Sequence, residues 1–262
     1  IRNLIELQNL EILDISNLKI NSFCIDNLTK IKLENLKEFF LVNLDIDDYD
    51  MEKISKMSLK KLEVFNIYGT KIGSEGIKFF SQMEFLKLKN LEMGNTNITN
   101  KAIEYISKMD LKNLEVLGIG DNDINDDIFF YLKNCELKNL EILGLYDLDI
   151  NIQAFEFLSE KFKFEAFAEN TIINTNTNDT IGKLKILDVS NSNVDGKCIK
   201  KLEMINLENL RELYLNKTNI DLECFNILKN LKMPLLEVIN LENTVLENKK
   251  FELVKYFPNL DF

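Results

Sequence analysis

The sequence predicts an α/β solenoid, a horseshoe of about nine 26-residue units with a parallel β-sheet on its concave face and helices on its convex face. Three observations predict it. First, LKNLEVLGIGDNDI at Leu111–Ile124 returns as LKNLEILGLYDLDI at Leu137–Ile150. The pattern LxxLxLxxNxL starts at Leu10, Leu36, Leu62, Leu88, Leu114, Leu140, Leu184, Leu210 and Leu236, with a truncated start at Leu260. Its intervals are 26 five times, then 44, 26, 26 and 24, and a fixed period of this size marks a stacked-repeat architecture. Second, the apolar period changes within each unit. Third, apolar residues form columns down the chain.

Each unit opens on a strand. Leu117 and Ile119 alternate with the period of two expected of a short strand with one buried face. A helix follows the turn: in KIGSEGIKFFSQM from Lys71, the residues Ile72, Ile77, Phe80 and Met83 fall at helical spacing. Ile25, Met51, Ile77, Ile103, Phe129, Phe155, Ile199, Phe225 and Phe251 occupy one helix column. Leu28, Ile54, Phe80, Ile106, Leu132, Leu158, Leu202, Leu228 and Val254 occupy another, three residues on. One such unit cannot bury both faces alone, so units stack. Strands stack about 4.8 Å apart and helices roughly 8 to 10 Å, which puts the sheet on the inside of the curve.

Motif and period resemble leucine-rich repeats over nearly the whole chain. The helix and the 26-residue period resemble the ribonuclease-inhibitor-like and cysteine-containing classes, the latter typical of F-box substrate receptors. TKIGSEGIKFF is similar to the corresponding segment of GALA-type repeats. The chain shows no F-box, and the family's Asn/Cys position reads Leu18, Leu44, Thr70, Thr96, Asn122, Leu148, Ser192, Thr218 and Thr244. The resemblance implies a recognition protein, as a module or as the substrate-receptor part of an F-box-type ubiquitin ligase or pathogen effector whose effector domain lies elsewhere. One family of activators of the nuclear-transport GTPase also resembles this fold. Phosphoryl transfer often uses an inserted arginine, and Arg2 and Arg211 are the arginines here.

The reading gives one leucine-rich-repeat domain, 1–262, with an insertion at about 163–180 in the sixth repeat. The inserted segment passes into an Asn/Thr-rich run and joins a helix end to a strand start at one rim. Ile1 to Asn9 reads as the tail of an earlier unit, and FPNLDF from Phe257 as the start of a tenth. Cys24, Cys198 and Cys224 share a column with Gly76, Ala102 and Ala154, so they read as small buried residues at the helix start. Cys135 falls in the column of Met57, Met83 and Met109. Reduced structural cysteines point to an intracellular, cytoplasmic setting, with delivery as a secreted effector a second route.

Composition narrows the chemistry. With 43 acids against 32 bases the net charge is -11, which disfavours nucleic acid and anionic membranes and favours a basic protein partner. No apolar run approaches the roughly 20 residues of a membrane span, and no signal peptide opens the chain at Ile1. With no histidine there is no Ser-His or Cys-His dyad, and P-loop, GxGxxG and CxxC patterns are missing. Neither an enzyme, a cofactor nor a metal is expected. Sequons at Asn27, Asn97, Asn178 and Asn216 match what 34 asparagines produce by chance.

The candidate site is the concave face, because side chains alternate across a strand. Its strand and turn positions carry eight acids and one base, among them Asp14, Glu92, Asp121, Asp147, Asp188 and Glu242. Phe40 and Val42 on one strand and Tyr68 on the next are expected to form an apolar patch, and Tyr146 and Tyr214 add scattered aromatics. The acids would attract a basic partner and the aromatics hold it.

Overall fold

The computed structural model describes residues 7–20, 22–162 and 183–260. The predicted insertion at 163–180, with its sequon at Asn178, lies outside the described residues. The chain divides into two compact units, Ile1–Leu137 and Lys138–Phe262.

In the first unit strands and helices alternate: β1 (Ile12–Asp14), α1 (Ser22–Leu28), β2 (Glu38–Phe40), α2 (Asp48–Ile54), β3 (Val64–Asn66), α3 (Ser74–Phe80), β4 (Asn90–Glu92), α4 (Asn100–Ile106), β5 (Val116–Gly118) and α5 (Ile128–Leu132). The second holds β6 (Ile142–Gly144), α6 (Ile152–Lys161), β7 (Ile186–Asp188), α7 (Gly196–Lys201), β8 (Glu212–Tyr214), α8 (Cys224–Leu228), β9 (Val238–Asn240) and α9 (Lys250–Leu253). Within each unit the strands pair in parallel, in chain order and repeat in register. Asp14, Phe40, Asn66, Glu92 and Gly118 form one row in the first, and Gly144, Asp188, Tyr214 and Asn240 the same row in the second.

The central residue of each strand turns inward. Phe39, Phe65, Leu91, Leu117, Leu187 and Leu213 are fully buried, as are the motif leucines Leu36, Leu62 and Leu114. In the first unit the rings form a chain: Phe39 and Phe65 lie 5.9 Å apart, Phe65 stacks on Phe80 at 4.8 Å, and Phe80 meets Phe85 at 4.6 Å. Such pairs add about 0.5 to 1.5 kcal/mol each beyond the area they bury.

Every repeat leaves its strand through a residue with positive φ: Asn17, Asn43, Gly69, Asn95, Asp121, Asp147, Asn191, Lys217 and Asn243. Asn and Asp tolerate the left-handed region because their short side chains hydrogen-bond locally, and glycine has no Cβ to clash. The parallel ladder reaches these residues. Asn17 N donates to Val42 O and Asn43 N to Tyr68 O, each at 2.8 Å, and Lys217 N donates to Glu242 O at 2.9 Å. The column of Leu18 and its equivalents comes next. There Thr70, Thr96 and Thr244 donate to the carbonyls of Ile67, Met93 and Leu241, and Asn122 Nδ2 donates to those of Met93, Ile119 and Gly120. These side chains satisfy backbone groups that the turn would otherwise orphan.

Helix starts are tied to neighbouring repeats. Asp47 caps α2 by accepting from Tyr49 N and Asp50 N. Asp48 Oδ1 reaches the next repeat, accepting from Gly73 N at 2.6 Å and Gly76 N at 2.9 Å. Gly76 is required there, since a Cβ would lie 2.6 Å from Asp48 Oδ1 and 2.8 Å from Ile72 Cγ2.

Three expectations are corrected. Cys24 is exposed, unlike the buried Cys135, Cys198 and Cys224. It borders an open cavity of about 500 Å³ lined also by Ile15, Ile20, Ile25, Leu28 and Ile31, because α1 is the first helix of the described residues. Phe251 and Val254 are 63% and 43% exposed. The last repeat enters its four-residue helix through a 3-10 turn, Glu247–Lys249, which rotates the apolar face so that Leu253 and Phe257, four apart, are buried instead.

Among the described residues, Lys217 is the one left-handed residue that is neither Asn, Asp nor Gly. Lys217→Asn is expected to raise stability by about 0.5 to 1 kcal/mol, read as a higher urea midpoint with an unchanged slope.

Candidate functional site: the open face of the sheet

Residues flanking each buried strand centre point away from the helices. In the first unit this face carries Asp14 on β1, Phe40 on β2 with Val42 beyond it, Tyr68 beyond β3, and Glu92 on β4. Phe40, Val42, Tyr68 and Glu92 are half-buried and Asp14 is exposed. The register pairs Phe40 with Asn66; carried two residues on, it sets Val42 against Tyr68, as expected from the sequence.

In the second unit the face carries Tyr146, Asp188 and Tyr214, all half-buried, and Glu242, exposed. The Tyr214 hydroxyl donates to Glu212 Oε2 at 2.6 Å. That bond, with burial and the charge of Asp188, pushes the phenol up to about 12. Glu212 was not singled out from sequence as a site residue, yet it fixes the ring that was.

Several predicted acids have structural duties. Asp121 and Asp147 are exposed, but both hold the left-handed turn, and Asp147 Oδ1 accepts from Asn191 Nδ2. Asp14 and Asp188 close local turns by accepting from Ser16 N at 2.9 Å and Ser190 N at 3.0 Å. Asn66 and Asn240 make the same bond to Tyr68 N and Glu242 N, so at these four positions of the row Asp and Asn serve turn chemistry. The bonds from Ser16 hold the Asp14 carboxyl below the ordinary range. Burial raises Asp188 above it, with Asp147 adding to the rise and the bonds from Ser190 opposing it. The turn role of Asp14 and Asp188 was missed because only their charge was counted.

Glu92 differs from these. Its carboxyl leans across the sheet onto Gly118, where a Cβ would lie 1.7 Å from Oε1. Burial alone lifts it to about 7, because nothing on β3, β4 or β5 offers a positive charge: the open-face positions there read Val64, Asn66, Tyr68, Asn90, Glu92, Gly94, Val116, Gly118 and Gly120. The nearest base in sequence, Lys89, is held by Glu63 at 3.3 Å.

Among the described residues, no group of three or more His, Cys, Asp or Glu is placed to hold a metal ion, and no helix is long and apolar enough to cross a membrane. Buried thiols are poor nucleophiles: burial lifts Cys224 to about 11. The open face of the sheet presents acids, hydroxyls and rings.

Repeats of strand, left-handed turn and helix define a leucine-rich-repeat α/β solenoid. Solved structures with this fold include an internalin (inlF) from Listeria monocytogenes, 20% identical, with a TM-score of 0.54 over 88% of this chain and 54% of that one. Internalin C2 (inlC2) of the same organism is also 20% identical, with a TM-score of 0.58 over 91% of this chain and 83% of its own. The chain thus spans about half the length of inlF. No protein-family model matches the chain, and no curated protein sequence does.

Glu92 titrates near 4.5 when unfolded and about 7 when folded, so the folded state binds the proton more tightly. Stability is therefore lost as pH rises from about 4.5 through 7, by on the order of 2 kcal/mol after allowing for partial exposure. Glu92→Gln should unfold at a higher urea concentration than the parent at pH 8 and at the same concentration at pH 4.

Proposed function

We propose that the chain is a non-enzymatic protein-recognition module that binds a basic protein partner through the open face of its sheet. The observation that carries this reading is the half-buried trio Phe40, Val42 and Tyr68 on neighbouring strands, set in a face whose charge is almost wholly negative. Rings held rigidly by a backbone ladder lose little entropy on docking, which is the character of binding hot spots. Acids around them speed the encounter with a cationic surface.

The 26-residue period with helices of up to two or three turns supports the ribonuclease-inhibitor-like or cysteine-containing class within the leucine-rich repeats. The reading extends to a larger receptor or effector in which this chain supplies recognition. The buried Cys135, Cys198 and Cys224 support a reducing, intracellular setting.

A partner captured on the immobilised chain tests the proposal. Phe40→Ala and Tyr68→Ala are each expected to weaken binding by about 1 to 3 kcal/mol while the chain stays folded, with a modestly lower unfolding midpoint for the area lost. The control Phe130→Ala removes a ring that is 74% exposed on α5 and should have no effect. Raising salt should slow association more than it speeds dissociation. Equal affinities for all three variants would move the site off the sheet.

A further inference from the structure

A block of open-face residues in the first unit recurs in the second. Ile12 and Asp14 on β1 lie beside Glu38 and Phe40 on β2, which lie beside Val64 and Asn66 on β3. In the second unit Ile186 and Asp188 on β7 lie beside Glu212 and Tyr214 on β8, which lie beside Val238 and Asn240 on β9. Five of the six positions are identical and the sixth exchanges Phe for Tyr, and none of these residues is buried. The fold does not impose the pattern, since the same positions of β4, β5 and β6 read Asn90 and Glu92, Val116 and Gly118, and Ile142 and Gly144.

Turn chemistry accounts for the Asp and Asn of the block, and strand propensity for its Ile and Val. Neither accounts for a Glu and a ring on the strand beside the Asp. In each unit the Asp and the Glu stand on a diagonal of the sheet, about 7 to 8 Å apart, where their charges repel. The neighbouring bases are already held, Lys37 by Glu11 at 2.7 Å, Lys185 by Glu141 at 2.6 Å and Arg211 by Glu237. Among the described residues none of the four acids, Asp14, Glu38, Asp188 and Glu212, has an ion-pair partner. Each square therefore offers two carboxylates, a ring and an aliphatic side chain to the solvent side, and a cation is what it lacks.

We infer that each unit holds one copy of the same subsite, which takes an arginine side chain of a protein partner. The guanidinium bonds Asp14 and Glu38 over Phe40 in the first unit, or Asp188 and Glu212 over Tyr214 in the second, and the aliphatic stem rests on Ile12 or Ile186. A guanidinium suits the square better than an ammonium. Its planar fork has donors on several edges, so it can meet carboxylates from two strands at once, and it is weakly hydrated and stacks on aromatic rings. The two copies differ in one bond: the Tyr214 hydroxyl donates to Glu212 Oε2 at 2.6 Å, whereas Phe40 leaves Glu38 unengaged. Lys217 also follows at the exit of β8, so the subsite on β1 and β2 is the tighter one. The inference rests on the open face being the binding surface and adds that this surface carries its cation subsite twice.

The test uses an acetylated, amidated pentapeptide, Gly-Gly-Arg-Gly-Gly, and its neutral counterpart with citrulline for arginine. Each is titrated into the ¹⁵N-labelled chain at fixed ionic strength, the Phe40 amide reporting the first subsite and the Tyr214 amide the second. Both amides should shift saturably with the arginine peptide, Phe40 at the lower concentration, and each subsite should bind it at least tenfold more tightly than the citrulline peptide. Glu38→Gln, with the rest of its spectrum unchanged, should abolish the arginine preference at Phe40 and keep it at Tyr214, and Glu212→Gln should do the reverse. Equal shifts with both peptides, an arginine response in one unit only, or a glutamine variant that keeps the preference at its own subsite would overturn the inference. Each of these results would leave the wider reading standing, because that is also judged by Tyr68→Ala, outside both subsites, with a captured protein.

Discussion

One backbone constraint underlies the rest: in every repeat the chain must leave the sheet at a single residue with positive φ. That residue closes the parallel ladder to its neighbour and redirects the chain towards the helix. With the exit fixed, the preceding strand has a defined register, its central side chain faces the helices and its flanking side chains face outward. A slip of one residue would exchange core and surface. The column of Asn, Asp, Gly and Lys at the exit thus determines where Phe40, Tyr68 and Glu92 point.

Much of the fold was legible in the sequence because it is periodic. A 26-residue interval and two apolar helix columns placed strands and helices, and the burial of Ile77, Ile103 and Phe155 follows them. Periodicity fails at the ends. Cys24 has the column of a buried residue but no earlier described helix over it, and the last repeat uses a 3-10 turn that moves Phe251 and Val254 outward. The exit column was in plain view, yet its two acids, Asp121 and Asp147, were read as charge on a binding face. The recurrence of Asn or Asp at seven of the nine exits is the signal that marks it as conformational.

The candidate site divides along the same line. Phe40, Val42 and Tyr68 could be placed from alternation alone. The distinction between Glu92 and the other acids could not, because it depends on three-dimensional surroundings. Asp14 and Asp188 are held by their own turns, whereas Glu92 lies over a glycine with no donor within reach. Equal letters in a sequence carry unequal electrostatic states when one carboxyl is wet or hydrogen-bonded and another is neither. The glycines that produce this difference look, in one dimension, like weak strand residues.

The bond network of Asp48 ties one repeat to the next. Its carboxylate belongs to the second repeat but holds the amides that begin the helix of the third, and Ser74 of the third repeat likewise accepts from Thr99 N of the fourth at 3.1 Å. The helix starts of the third and fourth repeats are therefore each tied to the repeat before them. Each repeat therefore depends on its immediate neighbour for part of its shape, as a link in a row of fasteners does. A lesion at Asp48 would thus be felt at the helix start of the third repeat, and one at Asn122 at the turn of the fourth.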